Sequence, residues 1–223
     1  MTDRGRAFAS VVLDVDSTLC GIEGIDFLAA RRGETVGAEI AQLTDRAMRG
    51  EITLESVYGE RLTIIRPGRD DIAALADAYR NSVATGASET IAALRARGVR
   101  VVLVSGGIRQ AIEPTATLLG FAGADLHAVS LSFAPDGRYA GFDARSPLTT
   151  QDGKAGVLQQ LIGDGDLPRP VLAMGDGSTD IAMAEAADTF AAFTGFARRT
   201  RVVAHAAFEI GSFAELKKRV LPR

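Results

Sequence analysis

The sequence predicts an α/β fold: a mostly parallel sheet with helices on both faces, a small helical insertion after the first strand, and one β-hairpin. Three observations carry that prediction. Short apolar runs rich in β-branched residues recur at Ser10–Asp14, Val99–Val104, Pro170–Met174, Thr189–Ala192 and Val202–Ala204. Helical patterns separate most of them, and strand–helix alternation of this kind builds a parallel sheet covered on both sides. Two of the runs end in carboxylates, Asp14-Val15-Asp16 and Gly175-Asp176-Gly177. Open α/β sheets place their ligands at the carboxyl ends of strands.

Taken in order, Val11-Val12-Leu13 is apolar on both alternating faces, which fits a strand buried between two helical layers. Residues 23–84 then show no strand signal. Val36, Ile40, Leu43 and Ala47 recur at helical spacing, with Thr35 as cap and Gly50 as stop. Leu54, Val57, Tyr58, Arg61 and Leu62 continue on a second helix, and Asp71–Tyr79 gives a third. A parallel crossover rarely needs three helices. The segment therefore reads as a cap domain over residues 23–84, with residues 1–22 and 85–223 forming the core.

Further along, Ser88–Arg97 is a helix capped by Ser88 and stopped by Gly98. Another helix follows Gly107, where Pro114 should kink or split it. Pro135-Asp136-Gly137 is a turn between the runs Val129–Phe133 and Arg138–Phe142, a hairpin that interrupts the alternation. Helices are expected over Lys154–Ile162 and Ile181–Ala187. A last one opens on Ser212-Phe213-Ala214-Glu215, which has the capping-box spacing.

The chain has 223 residues, 47 % of them apolar, enough for one large domain carrying a smaller one. A net charge of −3 argues against a nucleic-acid surface, which shows a basic stripe. Cys20 is the single cysteine, so no intrachain disulfide forms. The first residues, Met1–Arg6, carry no apolar signal-peptide core, and no apolar run approaches the roughly 20 residues that cross a bilayer. These features give the expectation of a cytoplasmic protein with neither nucleic acid nor membrane as partner.

Four places along the chain suggest chemistry. Asp14 and Asp16 would repel each other at a strand end unless a cation or a shared proton offsets the repulsion. One carboxylate can attack phosphorus; the other can protonate a leaving alcohol and then activate water. Val104-Ser105-Gly106-Gly107 reads as a strand running into a glycine-rich helix start, where backbone N–H groups and the Ser105 hydroxyl bind an anion; a plain turn is the alternative. Lys154 sits at a helix start, where the dipole disfavours a cation unless something anionic lies near; an exposed lysine is the alternative. Gly175-Asp176-Gly177-Ser178-Thr179-Asp180 offers Asp176 as a metal ligand, with Asp180 orienting it, binding metal water or holding Lys154. Carboxylates plus phosphate and water describe an oxygen site suited to Mg²⁺. His127 and His205 lack ligand spacing and read as structural.

These motifs, in this order, together with Glu23-Gly24-Ile25-Asp26 and Tyr139-Ala140-Gly141-Phe142-Asp143, resemble the haloacid dehalogenase-like superfamily, and within it the phosphoserine phosphatases. The resemblance implies a Rossmann-like core with a helical cap, Mg²⁺ dependence and an aspartyl-phosphate intermediate formed from O-phospho-L-serine. Asp14 would be the nucleophile and a metal ligand. Asp16 would be the general acid/base, with its carbonyl on the metal. Asp176 would complete the ligands, with Asp180 in the outer shell. Ser105, Gly106 and Lys154 would hold the phosphoryl group, with Thr179 beside it. Glu23 and Arg61 would take the substrate's amine and carboxylate. Other outcomes are a relative acting on a different small phosphomonoester, a phosphotransferase, and a non-catalytic module of the same fold.

Overall fold

A computed structural model of the chain describes residues 7–48 and 51–222. Strand β1 (Ser10–Leu13) is followed by four helices, α1 (Gly24–Ala30), α2 (Glu34–Met48), α3 (Leu54–Ile65) and α4 (Arg69–Asn81). Then come α5 (Ala87–Ala96), β2 (Arg100–Ile108), α6 (Arg109–Leu118), β3 (Leu126–Val129), β4 (Leu131–Phe133) and β5 (Tyr139–Phe142). The chain continues through α7 (Gly153–Gly163), β6 (Val171–Gly175), α8 (Ser178–Ile181), β7 (Thr189–Phe193), α9 (Thr200–His205), β8 (Phe208–Ile210) and α10 (Phe213–Val220).

The main sheet has six strands in the order β3-β2-β1-β6-β7-β8, and every adjacent pair is parallel. The central strands β1 and β6 are buried throughout, as their unbroken apolar runs require. From β1 the chain moves outward to β2 and β3, then returns to β6 on the other flank. The strand order therefore reverses between β1 and β6, where Leu13 pairs with Met174. That is the crevice where open α/β sheets bind ligands.

The helices α1 to α4 form an insert whose two connections run side by side. Gly21 N–H donates to the Ser82 carbonyl at 2.8 Å, and Ala84 N–H to the Leu19 carbonyl at 2.9 Å. The hairpin β4–β5 supports the insert from the core side: Phe142 packs on Tyr58 with ring centroids 5.4 Å apart, and Arg69 lies over Phe133 at 4.9 Å.

Several expectations need correction. Val202–Ala204 lies in helix α9 rather than a strand, and the edge strand is β8, which pairs Phe208 with Ala191. A three-residue apolar run carries no period that separates helix from strand. Val129 belongs to β3, which extends the sheet; the hairpin begins at Leu131. Helix α1 was not anticipated, since seven residues give less than two turns of pattern. Thr35 and Ser88 lie inside their helices, and Gly86 caps α5; Gly50 lies outside the described residues. Ile181 closes the short α8, and a 3-10 turn over Ala182–Glu185 follows. Helix α6 passes Pro114 unbroken, because that residue faces solvent, where water can serve the carbonyl its ring leaves without a donor. At α10, Ser212 accepts from Glu215 N–H at 3.3 Å, but the Glu215 carboxylate reaches one residue further back, to Gly211 N–H.

Candidate active site

The reversal of strand order brings the two acidic strand ends together. Asp14 N–H donates to the Met174 carbonyl at 3.0 Å, so Asp14 and Asp176 leave neighbouring strands side by side, and both are buried. The chain after Asp14 turns sharply. Ser17 adopts a left-handed conformation with φ of 50°, and Thr18 and Cys20 N–H both return to the Val15 carbonyl. This turn keeps Asp16 on the same side as Asp14 and aims Thr18 Oγ1 at Asp176 Oδ1, 3.4 Å away.

Lys154, at the start of α7, is 4 % exposed, which rules out a surface lysine. Its Nζ lies 2.8 Å from Asp14 Oδ1 and 2.5 Å from Asp180 Oδ1. Asp180 is fully buried and accepts at Oδ2 from Gly177 N–H at 2.8 Å. It packs on the end of β6 so closely that a Cβ added at Gly175 would lie 2.2 Å from its Cγ. A glycine at the strand end is therefore needed for Asp180 to reach the lysine.

A cavity of about 360 Å³ opens over this cluster. The core contributes Asp14, Asp16, Ser105, Gly106, Lys154, Asp176 and Thr179, and the insert contributes Tyr58 and Arg61, with Glu23 and Asp26 at its start. Nine of the ten site residues expected from sequence thus share one cavity; Asp180 stands behind it. Glu23 Oε1 accepts from Ser17 Oγ at 2.7 Å and from Arg199 Nη2 at 3.1 Å. Arg61 Nε is buried without a hydrogen-bond partner, and its guanidinium lies 6.0 Å from the Tyr58 ring centroid. One expectation fails in detail: Gly106 and Gly107 belong to strand β2, with a register irregularity between Val104 and Ile108, and helix α6 begins only at Arg109. These glycines thus sit at an irregular strand end, and no helix dipole begins at them.

The electrostatics follow from burying so many acids. Burial, then the charge of Asp180, pushes Asp14 well above the usual carboxylate range and Asp176 up to about 7. Burial, then Glu23, pushes Asp16 up to about 7. Burial works against the Lys154 charge, but Asp14 and Asp180 outweigh it and hold the ammonium above its ordinary value. Among the described residues, Lys154 touches Asp14 and Asp180 and Arg199 touches Asp176, so two cations stand in contact against the four acids Asp14, Asp16, Asp176 and Asp180. Carboxylate oxygens of Asp14, Asp176 and Asp180 lie within 4.8 Å of one another, all buried. An all-oxygen donor set with this surplus of negative charge fits a hard divalent cation.

Four contributors have no role assigned from sequence. Arg199 pairs with Asp176 and bridges it to Glu23. It follows the carboxyl end of β7, a position that the strand-end rule could have flagged. Tyr58 donates to the Gly106 carbonyl at 2.9 Å, and Tyr79 donates to Asp16 Oδ1 at 2.6 Å. Asp26 lines the cavity one helical turn from Glu23. The two tyrosines had been legible only as core-facing helix residues.

The parallel sheet, the reversed strand order and the carboxylate–lysine cluster define a hydrolase of the kind that works at paired strand ends. The chain belongs to the haloacid dehalogenase-like hydrolases, whose family profile matches residues 11–185. Within that family it is similar to the chloroplastic phosphoserine phosphatase of Arabidopsis thaliana, at 36 % identity over 96 % of this chain and 72 % of the relative. It is 35 % identical to the phosphoserine phosphatase of Rattus norvegicus, over 93 % of this chain and 91 % of the relative. Among solved structures, a phosphoserine phosphohydrolase-like protein from Francisella tularensis superposes with a TM-score of 0.81 at 25 % identity, covering 93 % of this chain and 97 % of that one. No helix among the described residues is long and apolar enough to cross a membrane.

Proposed function

We infer that the protein is a Mg²⁺-dependent phosphatase that hydrolyses O-phospho-L-serine to L-serine and phosphate through an aspartyl phosphate on Asp14. The observation that carries this reading is the contact of Asp14 with Lys154 at 2.8 Å, in a cavity that also holds Glu23 and a partnerless Arg61 Nε. Lys154 offsets the charge brought together when a phosphate approaches a carboxylate. Ser105, Gly106 and Thr179 line the same cavity and would bind the phosphoryl oxygens. A guanidinium with an open donor suits a carboxylate, and Glu23 suits an ammonium. That combination selects an amino-acid phosphate over a sugar phosphate.

In the first step an Asp14 oxygen bonds to phosphorus while the bond from phosphorus to the serine oxygen breaks. Asp16 gives that oxygen its proton; a carboxyl poised near neutral pH can do so. In the second step Asp16 takes a proton from the water that attacks phosphorus, freeing phosphate and restoring Asp14. Mg²⁺, held by Asp14, the Asp16 carbonyl and Asp176 with Asp180 outside them, would neutralise phosphate charge. Residues 23–84 act as a cap that excludes water from these steps.

A panel of phosphomonoesters assayed with Mg²⁺, with and without L-serine, tests the assignment. O-phospho-L-serine should be hydrolysed far faster than sugar phosphates, and L-serine should inhibit as product. Equal turnover across the panel overturns the substrate, and stoichiometric transfer of phosphate to an added alcohol overturns hydrolysis.

A further inference from the structure

Among the described residues, hydrogen bonds grip the acid/base carboxylate on one oxygen. Asp16 Oδ1 accepts from the Tyr79 hydroxyl at 2.6 Å and from Gly24 N–H at 3.3 Å. Tyr79 is fully buried at the end of α4, and Gly24 opens α1, so both donors come from the insert. Their approach depends on the glycine: a Cβ at Gly24 would lie 2.4 Å from the Tyr79 hydroxyl oxygen. The other oxygen points elsewhere. A Cβ built on Gly107 would meet Asp16 Oδ2 at 3.1 Å and Ser105 Oγ at 3.2 Å, so Oδ2 faces the segment that lines the phosphoryl end of the cavity.

We propose that Tyr79 is a positioning residue for Asp16: with Gly24 N–H it fills Oδ1 and so places the transferable proton on Oδ2, the oxygen directed at the leaving group. The inference rests on the reading of Asp16 as general acid. With two donors on Oδ1, a proton there would have to displace one of them. Tyr79 is fully buried, and the hydrogen bond that its hydroxyl makes is the one it donates to Oδ1. The Oδ2–H bond then breaks as the proton passes to the serine oxygen. The electron pair of the breaking P–O bond goes to that same oxygen, and Asp14 closes its bond to phosphorus. Without Tyr79 the carboxyl can turn about its χ2 bond and carry its proton away from the leaving oxygen.

The test is the first chemical step, followed by rapid quench for O-phosphoserine and by the nitrophenolate burst for p-nitrophenyl phosphate. An alkoxide needs a proton to depart; nitrophenolate does not. Tyr79→Phe should slow phosphorylation by O-phosphoserine roughly tenfold or more, within the range of general acid effects, and leave the aryl ester within about twofold and KM unchanged. Gly24→Ala, which displaces the hydroxyl without removing it, should reproduce the pattern and carries the test if Tyr79→Phe does not fold. Equal losses on both esters, or no loss on either, overturn the proposal. Asp16→Asn separates the two levels. If it spares the alkyl ester, the acid assignment itself fails; if it is selectively slow on that ester while both other variants are not, only the role of Tyr79 fails.

Discussion

Replacing Lys154 with Met probes the electrostatic centre of the site, because it keeps the stem and removes the charge. The ammonium touches Asp14 at 2.8 Å and Asp180 at 2.5 Å. At an effective dielectric of about 20, each contact is worth about 6 kcal/mol before desolvation. Burying the three charged groups opposes most of that, and breaking such a buried cluster typically costs about 3–5 kcal/mol. For a chain of this size each kcal/mol lowers Tm by about 2–4 °C, so Lys154→Met should melt roughly 6–20 °C below the parent in EDTA. The loss should grow with pH. Asp14 and Asp176 have folded-state pKa values raised above the unfolded ones, so proton uptake favours the folded state and that support disappears as pH rises through the folded values. Without the lysine those acids bind protons more strongly, and the deficit at pH 8 should exceed that at pH 5. Mg²⁺ should raise Tm more in the variant than in the parent, since more negative charge awaits it. Thermal melts at both pH values, with EDTA or Mg²⁺, read all of this. A variant that melts within about 2 °C of the parent and gains nothing extra from Mg²⁺ would show that the cluster does not depend on Lys154.

Two further outcomes follow from other parts of the molecule. Arg61→Ala should cut kcat/KM for O-phosphoserine by roughly 10- to 100-fold, the size of a lost charge-assisted hydrogen bond of about 1.5–3 kcal/mol, while p-nitrophenyl phosphate is nearly unaffected; equal losses would remove Arg61 from carboxylate recognition. In the insert, burial acts to raise Asp71, but hydrogen bonds from Arg32 and Gly68 N–H outweigh it and hold the carboxyl below its ordinary value. A depressed acid stabilises above its unfolded pKa and loses that contribution as pH falls through the folded one, so Asp71→Ala should cost about 1 kcal/mol at pH 7 and progressively less below about pH 4, measured by urea melts.

The fold was legible wherever a residue's local pattern matched its final surroundings. Val11-Val12-Leu13 and Val171–Met174 are buried on both faces, and continuous apolar runs say so directly. The edge strands were harder. Phe208–Ile210 has three residues with Glu209 exposed, and its identity as a strand comes from pairing with β7 rather than from its own composition. Val202–Ala204 looks more strand-like by β-branching but is helical, because α9 must carry the chain from the end of β7 back to the start of β8 in a parallel sheet. Pro114 shows the same override: its cost depends on which side of the helix faces water.

The site divides along the same line. Asp14, Asp16 and Asp176 follow strand ends and Lys154 opens a helix, so these four candidates could be named from spacing and chemistry alone. Residues that orient them come from far away in sequence and carry no motif. Tyr79 reaches Asp16 across 63 positions, Tyr58 reaches Gly106 across 48, and Arg199 reaches Glu23 across 176. Each of these pairings joins a side chain to a partner that sequence could already name, so the missing information was direction and not identity. The physical consequence is specific. On the role proposed for Tyr79, the insert does more than line the cavity: it sets which oxygen of Asp16 carries the proton, so a shifted insert would leave Asp14, Asp176 and Lys154 in place and still misdirect the acid.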